Sequence, residues 1–298
     1  MGCVYMFIPD ELVVSCTSPV RCTPQAVFRQ VCHGGDWVKW WSGSATVRDG
    51  KRSYLYAGDV YNVSANSYPF MEIDIHHEEK NIKSRMSVLS VSNKDSAVIY
   101  WQCRLSGGGG LLQRMRQYLF AGKLEKNMSG ILSRLRPFLE NEKNIYGMTF
   151  GEGSTKDTLL VVTKAYFPVY PGTGEIYGLL GKLRAYISEE GAKESGYPIA
   201  NVTFQRDSGY QLMTAIPVNR VLQGKGAIFF RRMVPAKFLI AETKGGDQTI
   251  RTAFHHMQEY IADHQRTVMA IPFQTIVTDR MKEADTTKWS TWLYCPVF

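Results

Sequence analysis

Few side chains in this sequence of 298 residues have the types and the spacing that catalysis requires. The run His76-His77-Glu78-Glu79 holds metal-ligand types, but it ends a predicted strand, where neighbouring side chains point to opposite faces. His255 and Glu259 stand four residues apart in a predicted helix, which is the usual spacing of a surface pair. The glycines at 107–110 are not followed by the lysine and the hydroxyl residue of a phosphate-binding loop. We therefore predict no catalytic residue, no metal and no cofactor.

The six cysteines form no C-x-x-C pair, and no histidine is spaced from them as in a zinc site. In a chain long enough to bury a large core, such cysteines are typically free thiols in a reducing compartment. We therefore expect a cytoplasmic protein. The apolar stretch 3–8 leaves one alternative open, which is membrane anchoring if the encoding gene carries a further apolar segment upstream of Met1.

The net charge of +8 is shared equally between the two halves of the chain. Residues 1–142 hold 17 Lys and Arg against 13 Asp and Glu, which gives +4, and the remaining residues supply the other +4. Within 111–140, only Glu125 and Glu140 oppose the basic residues Arg114, Arg116, Lys123, Lys126, Arg134 and Arg136. A solvated helix face explains this enrichment, and the alternative is a patch that binds anionic lipid, through weak contact with a membrane surface, or nucleic acid. Because the sequence has no helix-turn-helix and no zinc finger, we expect no direct binding of nucleic acid.

The first half has the pattern of a strand, a short helix, a tryptophan-rich turn, several alternating strands and a long helix. The strands are predicted at 11–19, 53–63, 70–75, 83–91 and 97–105, with a turn at 65–67. Thr23-Pro24 is a typical helix start, and the long amphipathic helix is predicted at 111–140.

Three parts of the first half resemble the START-like (SRPBCC) superfamily, which includes polyketide cyclases. They are the segments Thr23-Pro24-Gln25-Ala26-Val27-Phe28 and Asp36-Trp37-Val38-Lys39-Trp40-Trp41 and the helix at 111–140. The resemblance implies a helix-grip fold, in which a curved antiparallel sheet surrounds a long carboxy-terminal helix and leaves an apolar cavity. It makes Trp37, Trp40 and Trp41 candidate ligand-binding residues. The alternative is that these rings fill the core between the sheet and the helix.

The second half, 143–298, contains two similar copies, at about 145–219 and 228–298. The apolar helix positions Ile176, Leu179, Leu180, Leu183, Tyr186 and Ile187 recur 74 residues later as Ile250, Ala253, Phe254, Met257, Tyr260 and Ile261. Each copy is predicted as strand–helix–strand–strand, with Gly174 near the start of the first helix and Asp247 as the N-cap of the second. Because one copy cannot bury its sheet face alone, we expect the two to pack as one pseudo-twofold domain.

Three features of the second half resemble the gyrase-inhibitor-like (GyrI-like) domain, which is also the effector-binding domain of AraC-family bacterial regulators. These features are the paired copies, the segment Lys244-Gly245-Gly246 before the second helix, and the segment 289–297. The resemblance implies a groove that binds apolar, often cationic, small molecules through aromatic walls and an acidic group. The candidate ligand-binding residues are Tyr166, Tyr170, Glu242, Tyr260, Trp289 and Trp292. Relatives carry a glutamate where this chain has Trp292, so Glu242 is the substitute carboxylate, and a solvent-facing Glu242 is the alternative.

The sequence therefore predicts an α+β protein with a START-like domain at 1–142 and a GyrI-like domain at 143–298. We expect it to bind or sense a small hydrophobic or cationic molecule without a DNA-binding module of its own, and to be a binding protein rather than an enzyme. The alternative is a hydrolase or cyclase acting on a small hydrophobic substrate. That activity would need a buried acid or base in a cavity, with Glu242 or Glu72 as the candidate.

Overall fold

The computed structural model describes residues 11–32, 34–48, 51–92, 94–106, 110–155, 158–233 and 235–297. The fold is α+β with two antiparallel sheets, one of them strongly curled. The chain forms two compact units, Met1–Ile145 and Tyr146–Phe298, which we call unit 1 and unit 2.

Unit 1 contains a seven-stranded antiparallel sheet. Its strands are β1 (Glu11–Val20), β2 (Ser44–Arg48), β3 (Lys51–Tyr56), β4 (Asp59–Ser67), β5 (Phe70–His77), β6 (Lys80–Ser90) and β7 (Ala97–Ser106). The order across the sheet is β1-β7-β6-β5-β4-β3-β2, so hairpins join β2 through β7 and β1 pairs with the last strand. The helices are α1 (Pro24–Cys32), a short 3₁₀ helix (Gly34–Lys39) and α2 (Leu111–Leu139), and a short helix α3 (Glu142–Tyr146) follows.

The predicted strand at 53–63 is two strands in the structure. A two-residue hairpin turn separates β3 from β4, because Ala57 and Gly58 take positive φ values of 51° and 89°. Aromatic and β-branched residues continue on both sides of this turn, so the alternating pattern does not reveal it. The predicted turn at 65–67 is also wrong, since those residues belong to β4 and the chain reverses at Tyr68-Pro69.

The long helix α2 is buried through its second half only. Its buried apolar side chains are Leu124, Met128, Ile131, Leu132, Leu135 and Leu139. In the first half, Leu112, Tyr118 and Leu119 are 75%, 61% and 71% exposed. The carboxy-terminal half of α2 therefore holds the helix in the core of unit 1. No helix in the described part of the chain is long and apolar enough to cross a membrane.

The three clustered tryptophans pack against one another in unit 1. The rings of Trp40 and Trp41 lie 5.1 Å and 5.2 Å from that of Trp37, and the indole N–H of Trp37 donates to the Val31 carbonyl at 2.7 Å. Trp37 is fully buried, Trp40 is nearly so, and Trp41 is half-buried against Tyr54. The structure therefore places Trp37 and Trp40 in the core.

Unit 2 contains an eight-stranded antiparallel sheet and two main helices. The strands are β8 (Gly151–Ser154), β9 (Thr158–Phe167), β10 (Ile199–Gln205), β11 (Gly209–Val218), β12 (Phe229–Met233), β13 (Lys237–Lys244), β14 (Phe273–Ile276) and β15 (Ser290–Pro296), and the helices are α4 (Thr173–Glu189) and α5 (Asp247–Asp263). The sheet order is β12-β9-β11-β10-β14-β15-β13-β8. Equivalent strands of the two copies thus appear in mirrored order on either side of the antiparallel β10–β14 pair. Each copy contains the predicted strand–helix–strand–strand unit, but a short strand that the sequence did not predict, β8 or β12, precedes it.

Both helices of unit 2 start at glycine caps. The N-caps are Gly172 for α4 and Gly246 for α5, so Asp247 is the first helical residue and not the N-cap that the sequence predicts. Gly174 is the second residue of α4. Since Asp247 does not cap its own helix, its carboxylate is available for contacts at the start of α4. In that position it accepts hydrogen bonds from the backbone N–H of Thr173 at 3.1 Å and from its hydroxyl at 3.0 Å.

Candidate ligand-binding site

A cavity of about 740 Å³ lies in unit 2 between α5 and the central strands. Helix α5 contributes Arg251, Phe254, His255, Met257, Gln258, Ile261 and Ala262 to its wall. The strands contribute Ala200, Asn201, Val202, Thr203 and Phe204 from β10, with Gln274 from β14 and Cys295 from β15. The remaining lining residues are Tyr170, Arg266, Val268 and Pro272, from the segments that flank the helices.

The helical repeat explains why α5 presents these residues. Positions 251, 254, 255, 258, 261 and 262 recur at intervals of three and four, which places them along one side of the helix. Met257 and Ile261 are buried at the edge of this side and also line the cavity. The cavity wall and the helix core are thus neighbouring stripes on α5, and the apolar side chains at their boundary belong to both.

The charges that line the cavity are positive. The guanidinium of Arg251 lies 4.7 Å from the ring centroid of Tyr170, which is the geometry of a cation–π contact. Arg266 also lines the cavity, and it forms an ion pair at 2.5 Å with Glu152, which is not a lining residue. The Arg266 guanidinium lies 5.9 Å from the ring centroid of Tyr260. Among the described residues, no aspartate or glutamate lines the cavity.

A buried arginine behind the cavity fixes the orientation of Gln274. The side chain of Arg280 is fully buried, and its guanidinium donates to Gln274 Oε1 at 3.2 Å and to Thr291 Oγ1 at 3.0 Å. Asp247 pairs with the same guanidinium at 3.4 Å. Burial lowers the pKa of Arg280, and the Asp247 carboxylate opposes that shift. Because the Gln274 oxygen accepts from Arg280, the amide N–H groups of Gln274 are the donors that it can offer to the cavity.

Burial keeps two titratable lining groups neutral. It raises the pKa of the Cys295 thiol to about 11, so this thiol is protonated at neutral pH. Burial also raises the pKa of Tyr170, while Arg251 beside the ring acts in the opposite direction. The charge of the cavity at neutral pH is therefore set by its arginines.

Three of the sequence-predicted site residues of unit 2 lie in or near the cavity. Tyr170 lines it. Tyr260 is buried next to it, with its ring stacked 3.9 Å from His264. Trp289 is buried under the Arg280 guanidinium at 5.2 Å, so it supports the residue that orients Gln274.

The other three predicted residues of unit 2 lie on the opposite face of the sheet. In β15, Cys295 lines the cavity, so Trp292, three residues earlier, points to the other side. Glu242 stands directly opposite Trp292 on β13, is exposed, and accepts a hydrogen bond from Ser290 Oγ at 2.9 Å. Tyr166 is half-exposed and donates to Gln211 Oε1 at 3.0 Å. The structure thus does not bring Glu242, Trp292 and Tyr166 to the cavity.

Sequence reasoning missed most of the α5 wall, including Arg251 and Gln258. The spacing of residues 251, 254, 255, 258 and 262 was available in the sequence as a second stripe beside the core stripe. Arg251 and Phe204 could not have been brought together from sequence, since they come from different copies of the repeat.

Unit 1 has an open groove of about 1550 Å³ between the sheet and the first half of α2. His77 and Cys103 line it from the sheet, and Arg116, Gln117 and Phe120 line it from the helix. None of Trp37, Trp40 and Trp41 lines this groove.

A buried carboxylate holds His77 at the groove. Asp59 is fully buried, and its Oδ1 lies 2.5 Å from His77 Nδ1, while its Oδ2 accepts from the Asn127 amide at 3.0 Å. The His77 ring packs 4.6 Å from the Phe120 ring. Asp59 and His77 face each other on β4 and β5, next to the paired residues Val60 and His76. Asp59 and Phe120 thus hold the imidazole from two sides, and the described residues offer no hydrogen-bond partner to its Nε2.

No family model and no curated protein sequence matches the chain. Among solved structures, it is similar to a cryo-EM structure of an EcmrR–DNA complex, with 15% identity over 63% of this chain and 72% of that chain and a TM-score of 0.48. It is also similar to SAV2435 bound to tetraphenylphosphonium, with 14% identity over 51% and 94% of the two chains and a TM-score of 0.35. A hydrolase from Listeria innocua has 10% identity over 50% and 92% and a TM-score of 0.38. These are distant likenesses.

Proposed function

We propose that the protein binds an apolar small molecule in the cavity of unit 2. The observation that carries this proposal is the cavity of about 740 Å³, into which α5 brings Phe254, Met257 and Ile261 and β10 brings Val202 and Phe204. Sites for small molecules commonly have this size and a predominantly apolar lining with a few convergent polar groups. Here the polar lining residues are Asn201, Thr203, Arg251, His255, Gln258, Arg266 and Gln274.

The chemistry of the lining favours binding over catalysis in unit 2. The thiol of Cys295 is protonated at neutral pH because burial raises its pKa to about 11. The described lining residues include no carboxylate, and the histidine among them, His255, forms a surface pair with Glu259 at 3.7 Å. Because the described lining residues can hold a molecule but include no activated nucleophile, we propose a binding or sensing role for this cavity.

A neutral fluorescent probe, N-phenyl-1-naphthylamine, tests the proposal in the full chain. The variant Ala262→Trp fills the cavity from an exposed position on α5, so it should abolish the fluorescence increase without disturbing the core. The matched control is Ser188→Trp, at the equivalent exposed position of α4, 74 residues earlier. Equal loss of probe binding in both variants, or no loss in Ala262→Trp, would contradict binding in this cavity.

A second candidate function is supported by the Asp59–His77 pair of unit 1. The Asp59 carboxylate accepts the hydrogen bond from the Nδ1–H group of His77. The Nε2 atom of His77 then carries the lone pair that can accept a proton at the groove. Asn127 holds Asp59 in place, as an orienting carboxylate in an acid–base pair requires. We propose general-base catalysis there as the alternative to a purely structural role. This proposal departs from the sequence-based prediction that the chain has no catalytic residue. The buried carboxylate in it is Asp59, which orients the base His77, whereas the sequence-based candidate was Glu72.

Hydrolysis of p-nitrophenyl acetate tests this second candidate. His77 Nε2 would take a proton from water as the water oxygen attacks the carbonyl carbon, and the bond to p-nitrophenolate would then break to give acetate. His77→Asn should reduce the rate above the buffer background at least tenfold, within the usual range of general-base contributions. His76→Asn, on the neighbouring residue of the same strand, is the control and should leave the rate unchanged. Equal rates in the wild-type protein and His77→Asn would leave the pair with a structural role only.

A further inference from the structure

We infer that the ligand of the unit 2 cavity is a lipophilic anion. This inference rests on the proposed binding function and adds the charge of the molecule. The charged side chains of the described lining are Arg251 and Arg266, and Gln274, whose Oε1 accepts from Arg280, keeps its amide N–H groups as donors. An acidic group on the ligand would accept hydrogen bonds from them, whereas a cation would meet no carboxylate among the described lining residues.

Arg251 is the residue best placed to bind the acidic group. It is exposed at the cavity, and its guanidinium is held over the Tyr170 ring at 4.7 Å. No carboxylate of the described residues lies within ion-pair distance of it. A guanidinium held on an aromatic face keeps its N–H groups directed outward at the ring's edge, where a carboxylate or sulfonate can accept two of them.

The carboxylates near the cavity are already paired. Asp247 is held by Arg280 and Thr173, and Glu152 is held by Arg266. Glu259, a third carboxylate nearby, lies 3.7 Å from His255. Each of these three carboxylates thus has a partner other than Arg251. A charge-assisted hydrogen bond from the Arg251 guanidinium would therefore favour an anionic ligand over a neutral one.

The carboxylate expected from the sequence does not change this balance. Glu242 was the candidate partner for a cation, but it stands opposite Trp292 on the sheet face that turns away from the cavity. On the cavity side of the same strand pair, Cys295 and Leu239 stand opposite each other, and neither carries a charge at neutral pH. The sheet floor therefore has no acidic group with which to hold a cation.

The apolar part of the ligand would pack between the helix and the sheet. Phe254 and Met257 of α5 face Val202 and Phe204 of β10 across the cavity. These side chains accept an aliphatic chain or an aromatic ring system, while Arg251 lies at the end of the stripe nearest the start of α5. A fatty acid or an aromatic carboxylate has this division into an apolar body and one acidic end.

Tetraphenylborate and tetraphenylphosphonium test the charge directly, since they have nearly the same shape and opposite charges. Isothermal titration of the full chain should give tighter binding of tetraphenylborate, and Arg251→Gln should weaken it about tenfold, because the variant removes the positive charge that attracts the anion. Arg231→Gln is the control, because Arg231 also lies over an aromatic ring, that of Phe229 at 5.4 Å, but on the edge strand β12 outside the cavity. It should leave both affinities unchanged.

The outcomes separate this inference from the proposed function. If tetraphenylphosphonium binds more tightly than tetraphenylborate and N-phenyl-1-naphthylamine competes with it, the inference that the ligand is an anion is wrong, but the cavity is still a binding site. Unchanged tetraphenylborate affinity in Arg251→Gln would likewise overturn the role of Arg251. If neither ion nor the neutral probe binds, the proposed function itself fails.

Discussion

Thr173 and Asp247 occupy equivalent positions in the two copies of unit 2, 74 residues apart, and they hydrogen-bond to each other. Both backbone and hydroxyl of Thr173 donate to the Asp247 carboxylate, at 3.1 Å and 3.0 Å. Each is the first residue of its helix, so the starts of α4 and α5 meet at this contact. The carboxylate also balances Arg280, the fully buried cation that positions Gln274 in the cavity.

We expect Asp247→Ala to lower the free energy of unfolding by about 3 kcal/mol, because it leaves the buried Arg280 guanidinium without its carboxylate. Thr173→Val removes the hydroxyl, which donates to Asp247 at 3.0 Å and accepts from Arg280 at 3.4 Å, but it keeps the backbone contact and the ion pair, so it should cost only about 1 kcal/mol. Urea denaturation of both variants measures the difference. A cost for Asp247→Ala no larger than that for Thr173→Val would show that the ion pair is not what stabilises the junction.

Gly209 should tolerate no side chain. Its φ is +74°, and a Cβ there would lie 2.5 Å from the carbonyl oxygen of Phe167. We expect Gly209→Ala to lower the free energy of unfolding by about 3 kcal/mol, since backbone strain and a backbone clash add. Gly226→Ala is the control, because its φ of +61° is similar but a Cβ would meet nothing within 4 Å, and it should cost only about 1 kcal/mol. Similar melting temperatures for the two variants would contradict this reading of the β10–β11 turn.

Trp37 should matter more for the stability of unit 1 than Trp41. Trp37 is fully buried and its indole N–H is bonded, whereas Trp41 is half-buried. Trp37→Ala should therefore cost about 4 kcal/mol and Trp41→Ala clearly less. Trp37→Phe, which keeps an aromatic ring but leaves the Val31 carbonyl unpaired, should cost about 2 kcal/mol. Thermal unfolding of the three variants ranks these losses of stability. A larger loss for Trp41→Ala than for Trp37→Ala would show that Trp37 is not the main core residue of the tryptophan cluster.

Two neighbouring thiols in unit 1 should make the protein less stable in alkaline solution. Burial raises the pKa of Cys103 to about 12 and that of Cys16 to about 11, from an ordinary value of 9.0. Between pH 9 and 11 the unfolded chain loses these protons before the folded chain does, so the unfolded state binds fewer protons and stability falls as pH rises. The double variant Cys16→Ala/Cys103→Ala should show a shallower fall in urea midpoint over this range. Below about pH 8 the two proteins should have parallel profiles, because the thiols are protonated in both states. Parallel profiles above pH 9 would mean that these thiols do not titrate differently on unfolding.

Much of the architecture of unit 2 could be predicted from the sequence, because it depends on local periodicity. The apolar positions of α4 and α5 recur at a fixed offset of 74 residues, and Ile176 and Leu183, like their equivalents Ile250 and Met257, are buried in the structure. In unit 1, the same kind of pattern predicts α2 but joins β3 and β4 into one strand, since the turn at Ala57-Gly58 has no effect on the alternation.

The candidate sites depended on tertiary structure. The sequence singles out Glu242 as a carboxylate in a strand, but only the register of β13 against β15 decides that it faces away from the helices. Arg251 and Tyr170 are 81 residues apart, and their contact exists because the two copies pack with the starts of α4 and α5 together. The His77–Asp59 pair likewise requires the β4–β5 hairpin and the placement of α2 over it. Periodicity determines which face of an element is apolar, whereas the charge and shape of a cavity depend on which distant elements meet.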